Sequence, residues 1–158
     1  MPVKMELDTI GMLLTDVSRL LRGAFDRRVT ASGIGVTPGE ARALIQVAAT
    51  EGIKQADIAV RMGIEPMTLS AYLDRLEAMG MVERCPDPGD RRAKNVVATE
   101  KSDPVLAVLR KEVRGLMDEV TDGVDPAGRE ALRASLKILR ENLHQLDRTG
   151  TEAKEPAQ

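Results

Sequence analysis

Aromatic residues are nearly absent from this chain: its 158 residues include one Phe, one Tyr and no Trp. A core built around stacked rings is excluded. The interior must be assembled from Leu, Val, Ile, Ala and eight Met, which pack deformably. Cysteine is as scarce. The single Cys85 rules out an internal disulfide and suits a reducing, cytoplasmic setting. No segment approaches the roughly 18 consecutive apolar residues of a membrane span, and the start carries no signal-peptide pattern. The only histidine, His144, has no second His or Cys at ligand spacing and reads as a surface or interface residue. No glycine-rich phosphate loop or nucleophile–base set appears either. No metal, no cofactor and no enzymatic activity are therefore expected.

A large excess of positive charge is also lacking. The net charge is −2, which at first argues against a nucleic-acid partner. The distribution softens the objection. Residues 84–94 carry Arg84, Arg91, Arg92 and Lys94 against Asp87 and Asp90, a local excess of +2. Residues 100–158 hold ten basic and twelve acidic groups, so the surplus acid lies elsewhere. An acidic chain with a local basic tip should bind DNA weakly at random sites and depend on a defined one.

What is present is organised around Lys54 to Glu100. A short helix with Ile58, Ala59 and Met62 on its apolar side ends at Gly63. Pro66 then stands where a first helical residue is tolerated, because its missing N–H has no intrahelical partner there. From Pro66, the residues Leu69, Tyr72, Leu73 and Leu76 share one face at helical spacing. The opposite face carries Met67, Ser70, Ala71, Asp74 and Arg75, with Thr68 near the helix start. Gly80 ends this helix. The runs Met81 to Cys85 and Asn95 to Thr99 flank a turn-rich, basic tip, Pro86 to Arg92, and read as a hairpin. Helix, turn, helix and hairpin in this order make a winged helix-turn-helix, a shape that places one helix in a DNA major groove.

The rest of the chain reads as helices. Leu7, Ile10, Leu14, Val17 and Leu21 step by three and four, predicting a long amphipathic helix from Leu7 to near Val29. Ser32 to Gly35 is a linker. Thr37-Pro38-Gly39-Glu40 is a capping box that starts a helix running to about Ala49. Ile53 can add a short edge pairing to the hairpin. Pro104 cannot donate in a helix capped by Thr99, so the next helix is expected to be capped by Asp103 and to begin at Pro104. Asp125-Pro126 repeats that start. The last helix sets Leu132, Leu136, Leu139, Leu143 and Leu146 in one stripe, and Thr149 to Gln158 reads as a polar, disordered tail.

Thr37-Pro38-x-Glu40, Asp74-Arg75-Leu76-Glu77, Gly80-Met81-Val82-Glu83-Arg84 and Asp87-x-x-Asp90-Arg91-Arg92 occur in this order and spacing. Each is weak alone, but the ordered set resembles the MarR family of transcriptional regulators, over roughly Leu7 to Leu146. The resemblance implies a mainly α fold with a small β-hairpin, a winged helix-turn-helix with long N- and C-terminal dimerisation helices. It divides the chain into residues 1–35 (dimerisation helix and linker), 36–100 (winged domain), 101–148 (C-terminal dimerisation helices) and 149–158 (tail). It further implies a homodimeric, ligand-responsive repressor of transcription acting on an inverted-repeat operator in double-stranded DNA.

Within that frame the DNA-facing set is Met67, Thr68, Ser70, Ala71, Asp74, Arg75, Asp90, Arg91, Arg92 and Lys94. Ala71 departs from the family, which often places a basic or larger polar residue there. Arg75 has two readings, a phosphate contact or a pairing with Asp74 or Glu77. Asp90 is expected to orient the Arg92 guanidinium for a narrow minor groove, with Arg91 and Lys94 serving phosphates. The apolar stripes Leu7, Ile10, Leu14, Val17 and Leu132 to Leu146 either pack within one chain or, as the resemblance implies, join two. Family members bind small aromatic or phenolic effectors between the first helices and the winged domain, with Met12, Thr15, Arg19 and Met117 as candidate lining. Two rival readings are a winged helix used as a protein-interaction module, and a thiol sensor at Cys85, whose neighbour Arg84 could activate it. The family's sensing cysteine typically lies in the first helix, where this chain has none.

Overall fold

The computed structural model describes residues 3–152. The chain separates into two compact units, Met1–Leu116 and Met117–Gln158. In the first, α1 spans Ile10–Ser32 rather than Leu7 to Val29. The Thr9 hydroxyl accepts the Met12 N–H at 3.3 Å and so sets the start, leaving Leu7 ahead of the helix. Gly33 adopts a left-handed φ of 65° and sets the end. Only the C-terminal half of α1 is anchored, through buried Phe25 and Val29. No helix among the described residues is long and apolar enough to cross a membrane.

The next elements follow the sequence closely. α2 (Pro38–Ala49) opens with the expected capping box: the Glu40 N–H donates to Thr37 Oγ1 at 3.2 Å, and the Thr37 N–H donates to Glu40 Oε2 at 2.9 Å. β1 is the two-residue Ile53–Lys54, followed by α3 (Gln55–Met62), the αL residue Gly63, and α4 (Pro66–Ala78). The Gly80 N–H reaches the Glu77 carbonyl at 2.8 Å and the Met81 N–H reaches the Leu76 carbonyl at 2.9 Å. That pair of bonds closes α4 and turns the chain into the hairpin.

β2 (Val82–Pro86) and β3 (Lys94–Ala98) lie one residue from the expected spans. The antiparallel sheet has the order β1-β3-β2, with Ile53 opposite Val96 and Val82 opposite Ala98. Ile53, Val82 and Val96 are buried, and with Leu44, Ile58, Leu69, Leu73, Leu76 and Leu109 they form an aliphatic core.

Thr99 does not cap the following helix. Its hydroxyl donates to the Gly80 carbonyl at 2.5 Å, tying the end of the hairpin to the end of α4. A 3-10 turn, Glu100–Ser102, precedes α5 (Asp103–Val120). The α-helix thus begins at Asp103, as the proline requires. Asp103 is not the cap that the sequence suggested, because the 3-10 turn has already brought it into helical conformation (φ −55°, ψ −44°).

α2 and α4 meet more closely than ordinary helices can. A Cβ on Gly39 would stand 2.4 Å from Tyr72 Cζ, so the tyrosine ring occupies the space that glycine leaves. Beside it, Arg75 Nε of α4 pairs with Glu40 Oε1 at 2.6 Å. The Glu40 side chain is 2% exposed. One carboxylate therefore caps α2 and fastens α4 to it.

In the second unit, Asp125 caps α6 (Pro126–Glu152) by accepting the Gly128 N–H at 2.8 Å. The helix runs beyond the expected limit. Thr149 to Glu152, read from sequence as tail, are helical, and the Thr149 hydroxyl bonds back to the Leu146 carbonyl at 3.0 Å. The remainder of the expected tail, residues 153–158, lies outside the described residues.

Replacing the shared carboxylate, Glu40→Gln, keeps the volume but removes the charge that pairs with Arg75. The expected loss is about 1–2 kcal/mol of stability in urea denaturation. Arg75→Met should remove most of the same energy, so the double variant should be clearly less destabilised than the sum of the two singles. Full additivity would mean the two side chains do not act on each other.

Candidate nucleic-acid interface

α4 is amphipathic in the sense that matters for a ligand on its outer side. Leu69, Leu73 and Leu76 are fully buried, whereas Met67, Thr68 and Ala71 are open to solvent and Ser70 is half-buried. Met67, an apolar side chain that is 85% exposed, stands out at the N-terminal end. The two charged members of the set, though largely exposed, are each paired with another side chain of the protein. Arg75 pairs with Glu40 rather than with Asp74 or Glu77, and its side chain stays largely exposed. Asp74 is held by Arg84 of β2 at 2.5 Å.

Arg84 is the side chain that sequence reasoning missed. Its guanidinium bridges Asp74 and Glu77, at 2.5 and 2.6 Å through Nη2, with Nε 3.1 Å from Glu77, and the side chain is only 15% exposed. The signal was available. Side chains alternate along a strand, so Arg84 shares the inward side of Val82 and Cys85 takes the other. The guanidinium is thereby committed to α4 and gives no support to an activated Cys85, which lies exposed. The hydrogen bond from Arg84 holds the Glu77 carboxyl below the ordinary glutamate range, and the same bond raises the Arg84 pKa.

The wing tip between β2 and β3 is shaped by two carboxylates acting on main chain. Asp87 Oδ1 accepts the N–H groups of Gly89 at 2.8 Å and Asp90 at 3.0 Å. The Gly89 bond is the main reason that Asp87 sits below the ordinary aspartate range, with Asn95, Lys54 and the Asp90 N–H adding to it. Asp90 Oδ1 accepts the Arg92 backbone N–H at 2.9 Å. Asp90 therefore fixes the backbone that carries Arg92 rather than orienting the guanidinium as expected. Arg91, Arg92 and Lys94 are all exposed.

The candidate effector residues fall in both units. Met12, Thr15 and Arg19 lie exposed on the N-terminal half of α1, Thr15 donating to the Gly11 carbonyl and Arg19 paired with Asp16. Met117 belongs to the second unit, where it borders a recess with Leu132 and Leu136. A different cavity, of about 320 Å³, lies within the first unit and is lined by Phe25, Ile45, Met62 and Val113, with Arg22, Arg42 and Arg61 at its polar side. His144 is exposed on α6.

The Glu77–Arg84 pair gives a pH signature. A carboxyl lowered in the folded state contributes stability above its ordinary value, about pH 4.3, and loses that contribution as pH falls through the lowered value. Arg84→Met should therefore depress Tm most near pH 7, and the difference from the wild type should begin to shrink below about pH 4 and vanish only below the lowered value. An equal difference at pH 7 and pH 3 would show that the loss comes from packing of the side chain and not from its charge.

Comparison with known proteins agrees with this architecture. The sequence profile of the MarR family matches residues 34–93, from the end of the α1–α2 linker to the far side of the wing tip. The transcriptional regulator PA3341 is similar in structure with a TM-score of 0.74 and 30% identity, over 87% of this chain and 99% of that one. A MarR family regulator from Rhodococcus sp. RHA1 matches at 25% identity and TM-score 0.73, over 87% of this chain and 96% of that one. CouR from Rhodococcus jostii RHA1, whose crystal structure holds p-coumaroyl-CoA, has 24% identity and TM-score 0.70, covering 86% of this chain and 95% of its own. The profile falls on the capping box, both helices of the helix-turn-helix and the wing tip, and the similar structures extend to the flanking helices: the chain belongs to the MarR family and has the fold of its transcriptional regulators.

Proposed function

We propose that the protein is a homodimeric, ligand-responsive transcriptional repressor that binds an inverted-repeat operator in double-stranded DNA. The observation that carries this reading is the outer face of α4, where Met67, Thr68 and Ala71 stand free while the leucines behind them are buried. α4 enters the major groove by this face. Thr68 and Ser70 donate to phosphates or base edges, and Met67 and Ala71 meet thymine methyl groups. The wing reaches the flanking minor groove through Arg92, with Arg91 and Lys94 on phosphates. Asp74, Arg75 and Asp90 act from behind, by fixing α4 and the wing backbone.

Dimerisation is supported by surface that a lone chain leaves open. Leu7, Ile10, Leu14 and Val17, with Leu132, Leu136, Leu139, Leu143 and Leu146, are each between 37% and 70% exposed. Exposed apolar stripes of this kind are what an interface between two copies would cover. Two copies joined through them present two α4 helices, whose separation must match about one turn of B-DNA, roughly 34–36 Å, with half-site centres about 10 bp apart. The effector, a small aromatic or phenolic compound, enters the cavity floored by Phe25, Ile45, Met62 and Val113. Arg42, paired with Asp26, and Arg61, bonded to Thr50 Oγ1 at 3.0 Å, stand ready to meet a phenolate or carboxylate. CouR with p-coumaroyl-CoA supports an aromatic ligand in a protein of this fold. A footprint on the intergenic DNA beside the coding region, repeated with phenolic compounds, tests the whole reading. No protected inverted repeat would reject it.

Arg92→Ala should weaken operator binding by about 1–3 kcal/mol without changing Tm, and should reduce the salt slope of binding if the guanidinium meets a phosphate. Unchanged affinity would remove the wing from the mechanism. Leu139→Asp buries an unpaired carboxylate in the proposed interface, so sedimentation should show dissociation or unfolding and operator affinity should collapse. A wild-type chain that sediments as a folded monomer and still binds its operator tightly would overturn the dimer.

A further inference from the structure

A second cavity, of about 670 Å³, opens in the corner between α3, the α3–α4 turn and the base of the wing. Small residues hollow it out: Ala56 and Ala59 on α3, Gly63 in the turn and Ala93 where the wing rejoins β3. Half-buried Ile64 and exposed Val60 give it an apolar floor, with Leu69 fully buried beneath. Its rim is cationic. Lys54 from β1, Arg92 from the wing and Lys94 from β3 line it, against the single carboxylate of Glu65. The charged ends of these three cations form no ion pair among the described residues, although Asp87 lies close enough to feel the charge of Lys54.

This combination selects a class of ligand. A recess of this volume is of the size that encloses small organic molecules, and mostly apolar walls with a few convergent charges are their usual setting. An inorganic phosphate, or a phosphate of the DNA backbone, would satisfy the rim and leave the apolar floor in contact with water. A neutral apolar molecule would cover the floor and leave the cations unused. We propose that this cavity binds a small organic anion, with an anionic head on Lys54, Arg92 and Lys94 and an apolar body of one or two rings against Ile64 and Val60. It is distinct from the cavity floored by Phe25 and Ile45. A consequence rests on the DNA-binding reading above: Arg92 and Lys94 cannot serve the anion and DNA together, so the ligand releases DNA by direct competition at the wing.

The test uses the full chain, labelled with nitrogen-15 and titrated with naphthalene-2-sulfonate. Amide shifts should concentrate at Lys54 to Ala59, Gly63 and Ala93. Lys54→Glu, an exposed charge reversal, should weaken binding about tenfold or more, and Ala56→Trp, which fills the recess, should do the same. The uncharged naphthalen-2-ylmethanol should bind about tenfold more weakly than the sulfonate. Shifts confined to the Phe25 cavity or the leucine stripes would overturn the proposal. So would unchanged affinity in the well-folded Lys54→Glu variant, or phosphate binding as tightly as the sulfonate. In a separate arm, the sulfonate should displace a footprinted operator from the wild type and fail to do so from Lys54→Glu. Sulfonate and operator bound simultaneously would overturn the competition. A chain that binds the sulfonate in this corner but protects no DNA would reject the repressor reading and leave the site standing.

Discussion

A buried carboxylate must be paired, and in this protein the pairing of Glu40 decides where α4 lies. One of its oxygens closes the start of α2 on the Thr37 N–H, and the other receives Arg75 from α4. Leaving such a group without its cation would cost stability, so the two helices are held in one relation while the domain is folded. The glycine at position 39 lets the Tyr72 ring settle beside this contact. The outward face of α4 is thus fixed from behind, by an anion that solvent scarcely reaches. Arg84 repeats the arrangement on the other flank, joining Asp74 and Glu77 to β2 and so passing the orientation of α4 on to the wing.

The charged residues nearest the proposed DNA surface fall into two classes. Asp74, Arg75, Glu77 and Arg84 neutralise one another or Glu40, and their work is internal. Asp87 and Asp90 accept main-chain N–H groups and give the wing tip its shape. The arginines and the lysine at the tip remain as uncompensated positive charge. A chain with net charge −2 can therefore present a cationic edge where geometry requires it, because the two carboxylates of the wing tip are turned onto its main chain.

What could be read from the sequence was local. The spacing of Leu69, Leu73 and Leu76, the capping box at Thr37 and the turn glycines at 63 and 80 each depend on residues a few positions apart. All appear as expected. The misreadings came from contacts that local spacing does not carry. Glu40 and Arg75 lie far apart in sequence, and nothing near Arg75 signals that its partner is a cap residue on another helix. Leu7 continued an apolar period, but Thr9 supplied a stronger start signal two residues later. Asp103 has the chemistry of a cap, but the 3-10 turn ahead of it has already brought it into helical conformation.

The scarcity of aromatic residues has an optical consequence. Tyr72 is the only tyrosine, there is no tryptophan, and its ring sits against Gly39 at the seam between α2 and α4. Ultraviolet emission from the unmodified chain therefore arises almost wholly from that seam. Any ligand or partner that loosens α4 from α2 will change the brightness of one naturally placed fluorophore, and no label needs to be attached to watch it.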